Sequence, residues 1–310
     1  MAANNYNKVK DGSKENVRAR AMLLISRIVV YAILAFLTIL CLFSFYLLII
    51  NASRSNGELQ AGFTLIPSSH FFENFMNAWT IDQTYNALSI GRGLLNSLII
   101  ASGAAILSCY FSALTAYAIH VYDFKLKNAA FIFILAVMMI PTQVSSLGYI
   151  QLVGDLGLGN WFYFTMIIPS LASPVVFFYM KQYMDSVLPL EIVESARVDG
   201  SGEFMTFNRI VLPIMKPARA VQAIFTFVGS WNNYFTPALL ASKVTDVNMK
   251  DGVNTLPIMI AYLRSMQNSK DFDLGLVYMF ILLAILPVIV IYLILSKSIV
   301  GGVTAGSVKG

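Results

Sequence analysis

Carboxylates and small residues recur in one polar stretch, ESARVDGSGEFMTFNRIVLP, which covers residues 194–213 between two long apolar runs. Glu194, Asp199 and Glu203 lie within it, and Glu191 lies just before it. Anionic lipid repels such a set, and helices that lie on a bilayer usually present lysine and arginine instead. The chemistry on offer is therefore ion pairing with a basic surface, which favours a protein partner over an amphipathic helix lying on the membrane.

Two short helices joined by a glycine turn must position these side chains. Pro189 suits the first turn of a helix, and nothing up to Asp199 interrupts it. Gly200 then supplies the left-handed residue that ends many helices. Ser201 can cap a second short helix, with Glu203 near its positive end. The segment is too short and too polar to bury a core by itself.

Asp199 breaks a local rule of helix design. A negative charge in the last turn of a helix opposes the helix dipole by a few tenths to about 1 kcal/mol. Two interpretations stay open at this point. The carboxylate either helps to turn the chain or to cap the second helix, or it has a basic partner.

The rest of the chain has the composition of an all-α integral membrane protein. Of its 310 residues 57% are hydrophobic and 12% are charged, whereas a soluble domain has about 25% charged residues. Runs of about 20 apolar residues predict membrane-spanning helices, and the first run is too long for a signal peptide. Six spans are predicted, at residues 28–50, 94–119, 129–150, 161–180, 213–240 and 276–295. Pro141, Pro169 and Pro174 predict kinks in the third and fourth spans.

Lysine and arginine are distributed unequally between the two sides of these spans. Of the 21 basic residues, 15 fall on the side of the N-terminus, which the positive-inside rule assigns to the cytoplasm. Both termini are therefore predicted to be cytoplasmic, as tails of residues 1–27 and 301–310 on a six-span domain of residues 28–300. The same rule places residues 194–213 in the cytoplasm.

Several classes of function are disfavoured by the residues present. Cys41 and Cys109 lie in apolar runs as small hydrophobic residues, so no disulfide, metal site or catalytic thiol is predicted. His70 and His120, near span ends, are interpreted as structural. The basic residues do not cluster with aromatic residues as in a nucleic-acid-binding face. The chain also has no G-x-x-x-x-G-K-[ST] loop, so it cannot itself be an ATPase.

The spacing within residues 194–213 resembles the EAA loop of the transmembrane subunits of bacterial ABC importers. The family pattern is Glu-Ala-Ala, Gly after three more residues, and Ile-x-Leu-Pro after nine more; only the middle alanine differs here. The matching residues are Glu194, Ser195, Ala196, Gly200, Ile210, Leu212 and Pro213. With SWNNYFTPALL and the final GGVTAGSVKG, nearly the whole chain resembles the second permease of the maltose-type carbohydrate importers.

This resemblance implies a type I ABC importer permease fold in the bacterial cell membrane. Residues 188–212 are then coupling helices that dock in a groove of an ATP-hydrolysing subunit; we call residues 188–213 the EAA segment. Glu194 offers a carboxylate to that partner, Asp199 lies beside the turn, and the small residues permit close approach. The implied partners are a second permease, two ATP-binding cassette subunits and an extracytoplasmic sugar-binding protein.

The resemblance also bears on cofactors and cargo. The chain itself is expected to bind no cofactor and no metal and to be no enzyme, because ATP and Mg²⁺ belong to the partner subunit. The implied cargo is a carbohydrate, with oligosaccharides ahead of monosaccharides and glycerol phosphates. In the same family the C-terminal tail inserts between the two ATPase subunits, which would involve Thr304, Ala305, Gly306 and Lys309. The glycines there also predict a frayed end with little structure of its own.

A sugar path needs hydrogen-bonding groups and aromatic platforms within the spans. Candidates for such a path are Tyr149, Trp231, Asn232, Asn233 and Tyr234. Two commoner roles stay open for these residues, namely hydrogen bonds between helices and the aromatic belt at the membrane interface. The resemblance implies that the partner permease holds most of the substrate contacts.

An ion-gradient-driven secondary transporter or channel is the alternative function. It would require acidic residues within the spans or paired half-helix sites. The six predicted spans contain essentially no acidic residue, which counts against proton or sodium coupling. A membrane-embedded enzyme is disfavoured by the lack of H-E-x-x-H and G-x-S-x-G motifs.

Overall fold

A computed structural model describes residues 2–81, 89–244, 254–266 and 272–307, and every regular element in these ranges is helical. The helices, which we number in chain order, are α1 (Ala2–Ala52), α2 (Asn56–Gln60), α3 (Phe71–Thr80), α4 (Ile90–Val121), α5 (Lys127–Met138), α6 (Thr142–Asp155), α7 (Phe162–Ile167), α8 (Pro174–Val187), α9 (Leu190–Val198), α10 (Glu203–Thr206), α11 (Leu212–Ile214), α12 (Lys216–Trp231), α13 (Phe235–Ala241), α14 (Leu256–Ser265) and α15 (Leu274–Ser307). The prediction of an all-α chain is confirmed.

Four helical stretches in the described ranges are long and apolar enough to cross a membrane, and two bent helix pairs bring the number to six. The four are Met22–Ala52, Ile90–Val121, Phe162–Val187 and Leu274–Ser296. The bent pairs are Lys127–Met138 with Thr142–Asp155, at 97°, and Glu203–Ile214 with Lys216–Trp231, at 80°. All six overlap predicted spans, although the bent pair of the fifth span begins at Glu203, within the polar stretch that was predicted to be cytoplasmic.

Proline shapes the third and fourth spans, as predicted. The 97° bend falls between Met138 and Thr142, where Pro141 adopts an extended backbone and precedes α6. In the fourth span a 3₁₀ turn, Ile168–Ala172, contains Pro169, and α8 begins at Pro174. A proline inside a helix lacks its N–H and clashes with the preceding turn, so these spans break rather than curve.

The start of the fifth span differs from the prediction. Pro213 was expected to begin it, but Pro213 lies in α11, before the 80° bend, and α12 begins at Lys216. Pro217 lies in the first turn of α12, where its missing N–H costs nothing. α12 has 16 residues, which span about 24 Å and are too few for a complete span. The apolar segment continues beyond Trp231 as α13.

α4 is the central helix and α1 is peripheral. Within the 18 most apolar consecutive residues of each helix, 44% of the residues are buried in α4 and 6% in α1. α1 packs against α15. Small residues on α4, among them Ala101, Ala113 and Ala116, are fully buried and let neighbouring helices approach closely. Three buried clusters form among the described residues, one around Trp231, a second around Phe207 and a third around Phe162. The second cluster lies beside the EAA segment.

Both predicted tails continue a membrane helix. α1 begins at Ala2, so residues 2–27 extend the first span as helix. α15 ends at Ser307, and the expectation that residues 301–310 have little structure is therefore wrong for residues 301–307. A new helix must first overcome a nucleation cost, whereas the extension of an existing helix does not. The extension therefore tolerates the roughly 1 kcal/mol penalty of each glycine.

Candidate functional site

The glycine turn of the EAA segment has the predicted left-handed geometry. Gly200 has φ +79°, and a Cβ there would meet no atom within 4 Å. The Gly200 N–H donates to the Arg197 carbonyl at 3.0 Å, and the Ser201 N–H donates to the Ala196 carbonyl at 2.9 Å. This pair of bonds is the Schellman motif, which satisfies the last carbonyls of α9. The turn is thus fixed by its own backbone.

The cap of the second helix differs from the prediction. Gly202, and not Ser201, is the N-cap of α10. The Ser201 N–H is committed to the end of α9, and its hydroxyl accepts a hydrogen bond from Thr206 Oγ1 at 2.8 Å. The Ser201 hydroxyl thus bonds the side chain of Thr206 and no backbone N–H of the first turn of α10, and the cap lies one position later. Glu203 lies in the first turn of α10, as predicted.

Four of the predicted EAA residues of α9 and its turn face outward, and one faces inward. Glu194, Ser195, Asp199 and Gly200 are exposed, whereas Ala196 is 5% exposed. Ala196 therefore contributes to packing within the chain, and a partner can approach the other four. Asp199 is the C-cap of α9, and it forms no ion pair with the side chains that the structure describes.

The Ile-x-Leu-Pro end of the segment forms an anchor. The turn Phe207–Val211 is a π-helix that leads into α11, with Ile210 and Leu212 half-buried and Pro213 exposed. Because Pro213 cannot donate to the carbonyl four residues earlier, a wider turn before it relieves the clash. Val211 and Phe207 are fully buried in the cluster with α4 and α8. The segment is thereby attached to the spans at its C-terminal end.

Glu203 joins three elements through one carboxylate. Its Oε1 accepts from Arg197 Nε at 2.7 Å, across the glycine turn, and its Oε2 accepts from the Tyr117 hydroxyl at 2.9 Å. The Arg197 guanidinium also lies 5.7 Å from the ring centre of Tyr122. Arg197, followed by the Tyr122 hydroxyl, lowers the pKa of the Glu203 carboxyl to about 2, so it stays ionised at neutral pH.

The start of the EAA segment is held by a second polar cluster. One ring nitrogen of His120 lies 2.9 Å from the Leu188 carbonyl, and the other lies 2.7 Å from Asp185 Oδ1. Lys181 Nζ donates to the same carboxylate at 2.7 Å. His120 is thus structural, as predicted, but its partners, like those of Glu203, were missed. The partners of His120, and Tyr117 as partner of Glu203, lie 65 to 86 positions away in the chain, where no local pattern identifies them. Arg197 lies only six positions from Glu203.

Apolar side chains are exposed next to the acidic residues of the EAA segment. Val198 is 87% exposed and Phe204 is 70% exposed, one on each side of Gly200. Both lie on short helices that are anchored elsewhere by buried residues such as Val193. The turn therefore presents two apolar side chains together with the carboxylates of Glu194 and Asp199.

The residues proposed for a sugar path do not form one constellation. Trp231 is 2% exposed, is stacked on Phe227 at 5.5 Å and donates its indole N–H to the Ala284 carbonyl at 3.0 Å. Tyr149 donates its hydroxyl to the Thr165 carbonyl at 2.7 Å. These two aromatic residues are therefore occupied in helix packing.

The other three path residues are more accessible. Asn232 and Tyr234 are exposed, and Asn233 accepts from the Thr236 N–H at the start of α13. Asn232 also lines a cavity of about 300 Å³ between α12 and α14. Its other lining residues are Trp231, Leu256, Pro257, Ile260, Ala261, Arg264 and Ala284.

The predicted tail contacts lie at or beyond the end of the described chain. Thr304, Ala305 and Gly306 belong to the last turns of α15, and Lys309 lies outside the described residues. Within the described ranges no group of three or more His, Cys, Asp or Glu side chains is arranged to hold a metal ion.

Known proteins match this chain over most of its length. Residues 108–303 match the family described as "Binding-protein-dependent transport system inner membrane component". The arabinooligosaccharides transport system permease protein AraQ of Bacillus subtilis is 34% identical over 88% of this chain and 92% of AraQ. The melibiose/raffinose/stachyose import permease protein MelC of the same species is 31% identical over 86% of this chain and 91% of MelC.

Two further matches extend the comparison. The sn-glycerol-3-phosphate transport system permease protein UgpE of Yersinia pestis is 31% identical over 85% of this chain and 91% of UgpE. A chain of a bacterial ABC transporter that imports the acidic polysaccharide alginate has the same fold, with a TM-score of 0.68 at 18% identity over 88% of this chain and 96% of that chain. The bent spans, the EAA segment and these relatives together show that the chain is a multi-pass membrane protein of the binding-protein-dependent transport system inner membrane component family, the permeases of ABC importers.

Proposed function

We propose that this chain is one of two permease subunits in an ABC importer for carbohydrate. Two ATP-binding cassette subunits bind ATP and Mg²⁺ and hydrolyse the ATP, and an extracytoplasmic protein delivers the sugar. The permease has no catalytic role of its own and holds no cofactor. The observation that carries this proposal is the Schellman turn at Gly200, which presents exposed carboxylates and apolar side chains between the fourth and fifth spans.

The basic residues support a cytoplasmic position for this turn. With 15 of 21 lysines and arginines on the side of the N-terminus, both termini and the EAA segment lie inside. ATP is a cytoplasmic substrate, so the surface that meets an ATPase has to lie on that side. Both ends of the chain then lie on the same side as the ATPase.

Docking follows from the chemistry of the exposed turn. Val198 and Phe204 fit an apolar groove, and burying each side chain contributes about 1.5–3 kcal/mol. Glu194 and Asp199 face basic residues at the rim of that groove, which gives orientation more than affinity. Asp199, which has no ion partner among the described residues, acquires one from the ATPase in this arrangement.

Alternating access follows from rigid attachment of the turn to the spans. When ATP draws the two ATPase subunits together, the EAA segment moves with its groove. Its buried residues Phe207 and Val211 transmit that displacement to α4 and α8. The bends at residues 139–141 and at Met215 allow the span halves to reorient around the sugar path.

The cargo is an oligosaccharide. AraQ and MelC, whose names specify oligosaccharide cargo, align with this chain over more than four-fifths of its length. Asn232, Asn233 and Tyr234 provide the polar and aromatic contacts of this subunit, and the partner permease provides the rest. The C-terminal residues, Thr304, Ala305, Gly306 and Lys309, reach the interface of the two ATPase subunits.

Co-purification of the complex tests the docking role. Glu194→Ala keeps a good helix former but removes a contact, and Gly200→Asp places a charge on a left-handed residue at the interface. We expect both variants to insert and pair with the second permease, yet to lose the ATPase subunit or its stimulation by the loaded binding protein. Asp123→Asn, an exposed carboxylate in the loop before α5, is the matched control.

Normal ATPase retention and normal stimulation in both variants would exclude the docking role.

Cargo is tested separately, by measuring uptake of arabinotriose, raffinose, stachyose and sn-glycerol 3-phosphate into vesicles that hold the whole complex. Uptake of the phosphate ester alone would contradict the oligosaccharide assignment.

Deletion of residues 304–310 should lower stimulated ATP turnover while the spans stay folded, and unchanged turnover would contradict a role for the tail.

A further inference from the structure

One face of α4 carries two tyrosines that reach the EAA segment. Tyr110 and Tyr117 are separated by two helical turns, and the ring of Phe207 lies 5.7 Å from the first and 5.5 Å from the second. Phe207 is fully buried. The two hydroxyls extend past this ring: Tyr110 donates to Asn208 Oδ1 at 3.2 Å, and Tyr117 donates to Glu203 Oε2 at 2.9 Å. α4 therefore holds the second half of the segment by packing and by polar contacts.

The contact of Tyr117 differs from that of Tyr110 because Glu203, which accepts from Tyr117, also bonds a residue on the other side of the glycine turn. The other oxygen of Glu203 accepts from Arg197, which lies on α9 on the far side of Gly200. One carboxylate thus fixes the angle between α9 and α10 and attaches both to the central helix. Charge-assisted hydrogen bonds are shorter and stronger than neutral ones, so this attachment resists bending.

The rest of the turn has few side-chain restraints of its own. The Schellman bonds fix the backbone from Ala196 to Ser201, but they do not attach it to a span. The remaining attachments include the buried side chains of Val193 before the turn, Ala196 within it and Phe207 after it. Force applied at the exposed side chains of Val198 and Phe204 would otherwise tilt the two short helices before it moved the spans.

We propose that Glu203, through Arg197 and Tyr117, is the positioning residue that makes the EAA segment rigid and transmits its movement to α4. This inference rests on the proposed function, since it assumes that the segment docks on an ATPase. Glu203 contacts neither cargo nor nucleotide in this role. It sets how much of the movement at the ATPase surface reaches the sugar path, and how much of the signal from the binding protein returns.

The test uses the whole complex with Glu203→Gln, Tyr117→Phe and the double variant. Glu203→Gln keeps the shape but removes the charge, and Tyr117→Phe removes only the hydroxyl while its ring still packs on Phe207. ATP turnover is measured with and without the binding protein loaded with raffinose or, where it binds more tightly, arabinotriose. Subunit retention and unfolding temperature are measured on the same samples, with Asp123→Asn as control.

Both single variants should keep the ATPase subunit and keep basal turnover within about twofold, while stimulation falls at least fivefold. The double variant should be no worse than the more severe single variant, because both changes break one joint. Full stimulation in both single variants, or effects that multiply in the double variant, would overturn the inference. A purely structural role would lower retention or unfolding temperature without changing the ratio of stimulated to basal turnover.

The two proposals fail in different ways. If Glu194→Ala and Gly200→Asp also leave retention and stimulation intact, the docking role itself is wrong. If these two variants lose the ATPase while Glu203→Gln and Tyr117→Phe keep full stimulation, docking stands and only the positioning role of Glu203 is wrong.

Discussion

Two of the polar segments between the spans satisfy their backbone groups in different ways. Residues 53–80 follow the first span and contain α2 and α3, whereas the EAA segment follows the fourth. Each consists of short helices joined by turns, and each has a glycine with positive φ, Gly62 and Gly200. Because they follow an odd and an even span, six crossings place them on opposite faces of the membrane.

The 53–80 segment directs some of its polar side chains inward. Arg54 is 6% exposed and donates to the carbonyls of Glu58 and Gly62. Asn74 is 3% exposed and donates to the carbonyls of Ala52 and Arg54, each at 2.9 Å. These side chains satisfy backbone groups that would otherwise be buried without partners, and such groups are costly. The segment caps the bundle and is joined to the start of α15 by Asn56, whose side chain donates to the Phe272 carbonyl and accepts from the Leu274 N–H.

In the EAA segment, backbone N–H groups donate to the carbonyls of the turn, and other side chains are left exposed. Its Schellman turn needs no side chain, and Val198 and Phe204 are exposed on both sides of it. Exposed apolar side chains also occur in the 53–80 segment, at Phe63, Ile66 and Phe72, so the two segments differ chiefly in how each satisfies its backbone groups.

The largest expected difference between the two segments is access from outside the cell. Ser69 and Ser186 are both exposed, the first in the 53–80 segment and the second just before the EAA segment. In a background without Cys41 and Cys109, Ser69→Cys should react with an impermeant maleimide in intact cells. Ser186→Cys should react only after permeabilisation. Labelling of Ser186→Cys in intact cells would reverse the proposed orientation.

Asn74→Ala should destabilise the complex without affecting its assembly. It removes two hydrogen bonds and leaves two buried carbonyls without partners, which we expect to cost about 2–4 kcal/mol. Thermal unfolding in detergent measures the loss, and co-purification should show normal ATPase retention. Asn77→Ala, at an exposed position of the same helix, is the control and should leave the unfolding temperature unchanged.

Gly200→Ala should have the opposite effect and should weaken the binding of the ATPase subunit. A β-carbon meets no neighbour at Gly200, so the cost is the left-handed backbone alone, about 1–2 kcal/mol. If the free turn relaxes and must be restored on docking, the affinity of the purified permease pair for the ATPase falls about tenfold. Gly62→Ala also strains its backbone but should leave that affinity unchanged. Equal effects of the two substitutions would show that the turn is not part of the interface.

Much of the EAA segment could be predicted because its determinants are local. A glycine after a helix predicts the left-handed C-cap, and the structure gives φ +79° at Gly200. The prolines likewise predicted the breaks at Pro141 and Pro174. The cap at Ser201 was wrong because α10 begins one residue later, with Gly202 as its N-cap, and the Ser201 hydroxyl bonds the Thr206 side chain.

Long-range contacts could not be predicted from these rules. Glu203 and Tyr117 are 86 positions apart, and only the packing of α4 beside the EAA segment brings them together. The structural role of Trp231 depends in the same way on α15, since its indole N–H donates to a carbonyl 53 positions later. An aromatic residue near a span end has the same local pattern in a binding site and in a core.

Trp231→Phe separates these two roles and should have the smallest effect. The substitution keeps an aromatic ring to stack on Phe227 but removes the hydrogen bond to the Ala284 carbonyl, which contributes about 1 kcal/mol. We therefore expect a small fall in unfolding temperature and unchanged selectivity among the tested sugars. Asn232→Ala, at an exposed neighbour that lines the same cavity, should change uptake without changing stability. A change of sugar selectivity in Trp231→Phe would return this residue to the sugar path, because the loss of a hydrogen bond between α12 and α15 does not distinguish one sugar from another.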